Sequence, residues 1–246
     1  MSTLNYTTYL SQISNLMVIT STDSNFTTML PGMIDYAEQR IYRELDLLYT
    51  RVTDNGTLAA SSNGRLVSLP TNTGTYIVVE EVNIITPSTA SYSTGGGTRN
   101  PVTQVSREFI DLCYPSNLNT SLGGLGGVPE FYAMYNSSQI LLGPPPDAAY
   151  TFEVVGTQRP TPLSSGNSST FLTQYCPDLF IAASMVFGSG YMRDFGSQAD
   201  NPNMSQSWET QYAALVQSAD VEQARARGIS QGWTARIPTK YNAPIP

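Results

Sequence analysis

Between Thr50 and Pro177 the chain changes its periodicity, and that change limits its fold more than any other feature. Outside this stretch apolar residues recur every three or four positions, as on one face of a helix. Inside it, short runs of β-branched and aromatic residues alternate with glycine, proline and asparagine. Tyr6, Tyr9, Leu10, Ile13 and Met17 define a first helix, capped at Ser2 or Thr3. Asp23 or Ser24 caps a short turn through Phe26. Leu30 and Pro31 then restart a helix whose stripe is Ile34, Ala37, Ile41, Leu45 and Leu48. Arg40 with Glu44, and Arg43 with Asp46, stand at helical pair spacing and read as a solvated face.

In the middle, Asn55-Gly56 and Asn63-Gly64 are hairpin-type dipeptides, and RLVSLP follows the second. YIVVEEVNIIT (76–86) is the strongest strand signal. STGGGTRNP (93–101) reads as a loop, and SREFIDLCY (106–114) as a short helix capped by Ser106 and stopped by Pro115. A GGLGG loop (123–127) precedes the strands EFYAMYN, QILLGP and YTFEVVGTQ.

Helix returns at Pro177 in PDLFIAASMVFGSGYMRDF, apolar enough to be buried on most sides, with Gly188 and Gly190 permitting close approach or a break. Asp200 or Asn201 caps a last helix with Pro202 in its first turn. Its face is Met204, Trp208, Gln211, Leu215, Ala219 and Ala224, and Gly228 ends it. The expected fold class is α+β: a helical bundle from both chain ends (1–49 and 172–228), a sandwich- or barrel-like β domain inserted at 50–171, and an extended C-terminal tail at 229–246.

Little of the sequence points to chemistry. It contains no histidine, which removes Ser-His-Asp and Cys-His catalysis and histidine metal sites. Two cysteines, Cys113 and Cys176, cannot make a four-thiolate zinc site and read as unpaired buried thiols. GGLGG matches no dinucleotide fingerprint, and no phosphate loop occurs. Glu80 and Glu81 are neighbours on a strand and so point to opposite faces, while Asp178 is explained by a helix dipole. No enzyme, metal or cofactor is expected. Net charge -7 with a single lysine, Lys240, disfavours nucleic acid as a ligand and would let a duplex slide past. A charged fraction of 13% suits a subunit buried in an assembly. The first residues show neither a basic region nor an apolar run, and no segment has membrane-span length, so cytoplasmic synthesis is expected.

The end, GISQGWTARIPTKYNAPIP (228–246), has no apolar period, yet it carries Trp233, Ile237, Tyr241 and Ile245. A segment that cannot fold on itself but keeps anchors reads as one awaiting another chain.

Two segments, LPGMIDYAEQRIYRELDLL (30–48) and PDLFIAASMVFGSGYMRDFGSQADNPNMSQSWETQYAALVQSADVEQARAR (177–227), resemble the phage head-to-tail adaptor family, also called head-tail connector or tail tubular A-like proteins. The resemblance implies a structural virion protein in the phage neck, made in the host cytoplasm. It implies a ring, usually of twelve copies, between the portal protein and the tail nozzle protein, with the DNA channel passing through. It further implies that the tail docks on the portal, with Trp233, Ile237, Tyr241 and Ile245 as anchors and Arg236 and Lys240 meeting acidic or carbonyl groups. Two other readings remain at this point: a virion-associated glycan-binding or glycan-hydrolysing protein using the β region, and another component of the tail nozzle.

Overall fold

A computed structural model describes residues 4–58, 64–88, 97–115, 126–192 and 203–230. The chain divides into two compact units, Met1–Tyr49 with Pro162–Pro246, and Thr50–Thr161. The fold is mixed α and β, with six α-helices and one curled seven-stranded sheet among the described residues.

The first unit is helical: α1 (Tyr6–Leu16), α2 (Ser24–Glu44), α4 (Phe171–Tyr175), α5 (Pro177–Met192) and α6 (Asn203–Ser230), with α3 (Arg107–Cys113) belonging to the second unit. α1 begins later than expected. The Asn5 side chain accepts the Thr8 N–H at 2.9 Å and the Thr8 hydroxyl accepts the Asn5 N–H at 2.7 Å. This reciprocal box satisfies two orphan donors at once, more than a lone hydroxyl cap does. α2 is one helix rather than a turn and a restart, and Pro31 lies inside it. The missing N–H costs a helix interior about 3 kcal/mol. Phe26, Leu30, Met33, Ile34, Ala37 and Ile41 are all buried along one stripe that crosses the proline, and that burial offsets the loss.

α5 runs through the core, with Leu179, Phe180, Ala182, Ala183 and Met185 buried against Tyr9, Ile13, Phe26 and Met33 in one cluster. The Tyr9 ring stacks on Phe180 at 4.9 Å, and its hydroxyl donates to Ser184 Oγ at 2.8 Å. A Cβ at Gly188 would stand 3.2 Å from Met17 Sδ and 3.3 Å from Met33 Cε, so glycine lets α5 approach there. On α6 the expected face is rotated. Gln211 and Ala224 are exposed, while Tyr212 is 1% exposed, with Trp208, Leu215, Val216 and Ala219 packed beside the core. α6 also passes Gly228 and runs to Ser230, because glycine costs a helix about 1 kcal/mol without forbidding it.

The second unit is the sheet: β1 (Arg51–Thr57), β2 (Leu66–Ser68), β3 (Gly74–Thr86), β4 (Thr98–Gln104), β5 (Phe131–Asn136), β6 (Gln139–Gly143) and β7 (Thr151–Pro160), in the order β1-β7-β3-β4-β5-β6-β2. All neighbours are antiparallel except β4 and β5. β4 pairs with β3 through Thr98–Val102 and with β5 through Thr103 and Gln104, so one strand joins the two halves. Both halves bury side chains in one cluster, including Val82, Ile84, Phe152 and Val154 from one and Tyr132, Ile140 and Leu142 from the other. The alternate residues Ala133 and Leu141 face α3 and pack on Ile110.

Three sequence expectations fail here. Asn55 and Gly56 are not a turn; they sit inside β1 opposite Glu153 and Phe152, and a Cβ on Gly56 would overlap the Phe152 ring. The loop expected over 93–101 gives way to β4 at Thr98, a strand that buries only Val102 and so shows no alternation. Cys113 is exposed, while Cys176 is buried, and both are free. Of the GGLGG stretch, 123–125 lie outside the described residues.

Candidate partner-docking site

Trp233, Arg236, Ile237, Lys240, Tyr241 and Ile245 lie outside the described residues. The element they follow, α6, is described, and how it is held decides where the segment after it begins. Arg40 of α2 is the main fastening. Its Nε donates to Glu44 at 3.0 Å and one NH group to Glu209 of α6 at 2.8 Å; its other NH group also contacts Glu209. Its guanidinium lies 4.1 Å from the centre of the Tyr212 ring, whose hydroxyl donates to Glu44 at 2.8 Å. Arg40 is therefore 16% exposed and not on a solvated face. The hydrogen bonds from Arg40 hold the Glu209 carboxyl below its ordinary range, and burial pushes the Tyr212 hydroxyl up.

The Arg43–Asp46 pair expected from spacing does not form. α2 stops at Glu44, so Asp46 leaves the helix and instead meets Arg227 of α6 at 2.7 Å, while Arg43 donates to the Gln39 carbonyl. One turn earlier on α6, Gln223 accepts the Leu48 N–H at 3.2 Å. These contacts bring the last turns of α6 past residues 46–48. Replacing Arg40 by Met should destabilise the helical unit by about 2 kcal/mol, between the cost of breaking buried and exposed pairs. Urea unfolding with hydrogen exchange in α6 measures it; unchanged exchange in α6 would contradict the fastening role.

Beside residue 48 lies a slot the sequence reading missed. Tyr49 stacks on Phe171 at 4.6 Å and Phe171 on Tyr175 at 4.8 Å. With Ser169, Thr170 and Gln174 they line an open cavity of about 290 Å³. Phe171 and Tyr175 share a face because α4 is a helix, begun by a capping box between Thr170 and Thr173. That polar pair, three residues apart and just before Pro177, was the available signal.

The other described residues of both units offer little chemistry. Burial pushes the Cys176 thiol up to about 11, away from the reactive thiolate. Glu80 pairs with Arg51 at 2.7 Å. A register shift between Val79 and Glu81 breaks the alternation, so Glu80 and Glu81 are both exposed rather than cleanly opposed. Among the described residues no group of three His, Cys, Asp or Glu could hold a metal ion, and no helix is long and apolar enough to cross a membrane.

The family model described as SU10 adaptor protein matches residues 4–236, nearly the whole chain. The chain belongs to the SU10 adaptor protein family. The resemblance to phage head-to-tail adaptors, first carried by two helical segments, thus extends across the β unit. The SU10 adaptor match also runs into the tail as far as Trp233 and Arg236, and ends before Ile237, Lys240, Tyr241 and Ile245. No curated protein matches the chain. The family is one of structural phage adaptors.

Proposed function

We propose that this SU10-family adaptor forms a ring between the portal and the tail nozzle of a phage, continues the DNA channel, and docks on the portal through its C-terminal tail. The family match over residues 4–236 carries the reading. In this account the helical parts form a bundle into which the β unit is inserted, and neighbouring bundles make the lateral contacts of the ring. A ring requires head-to-tail contacts whose rotation closes.

The electrostatics support a passive channel. Arg40, Arg51, Arg65, Arg99, Arg107 and Arg227 each sit on a carboxylate, in a chain of net charge -7. Those six of the twelve Lys and Arg are thus engaged on carboxylates, and tight DNA binding needs clustered free cations. Electron microscopy of purified portal with and without the chain should show added density on one end of the portal. The chain alone should not retain duplex DNA at physiological salt. A bare portal, or strong duplex binding, would contradict the reading.

A further inference from the structure

We propose that the slot made by Tyr49, Phe171 and Tyr175 is the resting place of the chain's own C-terminal segment, residues 231–246, from which a partner must draw it. This goes beyond docking on a portal, because it assigns the segment a site on its own subunit. It also revises the expectation that the tail has no local partner.

The slot has the chemistry for this segment. Tyr49 is 49% and Tyr175 57% exposed, so two large aromatic faces meet water on either side of Phe171. At about 290 Å³ the cavity is small for a cofactor or metabolite and fits one or two side chains. Parallel aromatic rings with a few polar neighbours are the platform on which proline-bearing extended segments dock, because the ring of proline lies flat on them and little entropy remains to be lost. Residues 231–246 carry Pro238, Pro244 and Pro246, with Ile237 and Ile245 each just before a proline.

Position argues the same way. Gln223 holds α6 on Leu48, the residue before Tyr49, and Arg227 holds it on Asp46, so α6 passes the slot and the segment after Ser230 has to turn back to enter it. Ser230 is three residues, about 4.5 Å of helix, beyond Arg227. At about 3.1 Å per residue an extended chain reaches Pro238 within roughly 25 Å of that point, and Pro244 further still. Charge agrees too. The segment holds Arg236 and Lys240 and no acid, so it carries +2, and the remainder of a chain of net charge -7 carries -9. Asp178 and Glu222 both act on the thiol of Cys176, the neighbour of Tyr175, which places negative charge near the slot. Tethering supplies an effective concentration in the millimolar range, so a weak site holds the segment and a tighter partner can still displace it.

Trypsin tests this on the full chain, because the segment offers two cleavable bonds, Arg236–Ile237 and Lys240–Tyr241. The reference is a synthetic peptide of residues 231–246. Both bonds should be cut at least about fivefold more slowly in the protein than in the peptide, since cleavage follows the open fraction. The protection should not depend on protein concentration. The double variant Tyr49→Ser, Tyr175→Ser should restore the peptide's rate while keeping one cooperative melting transition, lowered by the two lost ring stackings. Should that variant misfold, Pro244→Ala with Ile245→Ala alters only the segment and should also restore the rate of its own matching peptide. Equal rates in wild-type protein and peptide would overturn the proposal, as would protection that survives the variants. Protection that grows with concentration would assign the slot to another copy's segment and overturn it as well. The portal takes no part in this experiment, so its failure leaves the adaptor reading standing.

Discussion

Removing residues 231–246 should leave a protein that still folds and melts in one cooperative transition but no longer attaches to portal-bearing capsids. The cut follows Ser230, so α6 stays whole and its fastenings, Arg40 on Glu209 and Arg227 on Asp46, lie upstream. Hence no loss of fold is expected. Attachment is another matter, because aromatic and arginine anchors dominate interface energy and the segment carries Trp233, Arg236 and Tyr241. Burying one such aromatic is worth about 2 kcal/mol, so Trp233→Ala alone should weaken a single docking event about thirtyfold. Many copies binding together around a ring would mask that loss, which makes the deletion the cleaner variant. Capsids incubated with the truncated protein and sedimented should carry none of it. Attachment equal to that of the full chain would remove the tail from the docking mechanism.

The second large effect is on stability and comes from Glu38. This side chain is 3% exposed on α2 and accepts the Leu163 N–H at 3.0 Å where the chain re-enters the helical unit. Burial pushes its carboxyl up from 4.5 to about 7, and the nearby Asp35 adds to the rise. The folded state therefore holds the proton more tightly than the unfolded chain does. Glu38 contributes stability that is complete below pH 4.5 and is lost as pH rises to about 7, amounting to about 3 kcal/mol. Glu209, held low by Arg40, works in the opposite direction and loses its contribution as pH falls. The whole profile mixes the two, so the difference between wild type and Glu38→Gln isolates Glu38. Relative to wild type, the variant should gain about 3 kcal/mol between pH 4 and pH 8. Parallel profiles for the two proteins would show that Glu38 is not buried as described.

What could be read from the sequence was the class of each region; what could not was contact between distant residues. The stripes of α1 and α2 show their period because one face of each is buried, and β3, β5, β6 and β7 show as apolar runs because neighbouring residues on both faces are buried. β4 buries Val102 alone, and Asn55-Gly56 fits a turn as well as it fits a strand pressed against Phe152. Neither is decided locally. Arg40 looked like a surface charge because its partner at four residues, Glu44, was visible, whereas Glu209 lies 169 residues away. Asp46 likewise had a plausible neighbour in Arg43 and found a distant one in Arg227. The aromatic slot depends on Tyr49 meeting Phe171, a contact no spacing encodes. The tail residues were chosen by composition and family resemblance, and their role remains a proposal.

The central claim, that this adaptor works as a closed ring on the portal, is tested most directly by counting copies. Native mass measurement of the portal saturated with the chain should give one fixed stoichiometry, about twelve copies, because a heterologous contact that closes admits no partial rings at saturation. A fixed count large enough to close the ring is the expected result. A variable count, or fewer copies than a closed ring needs, would contradict it.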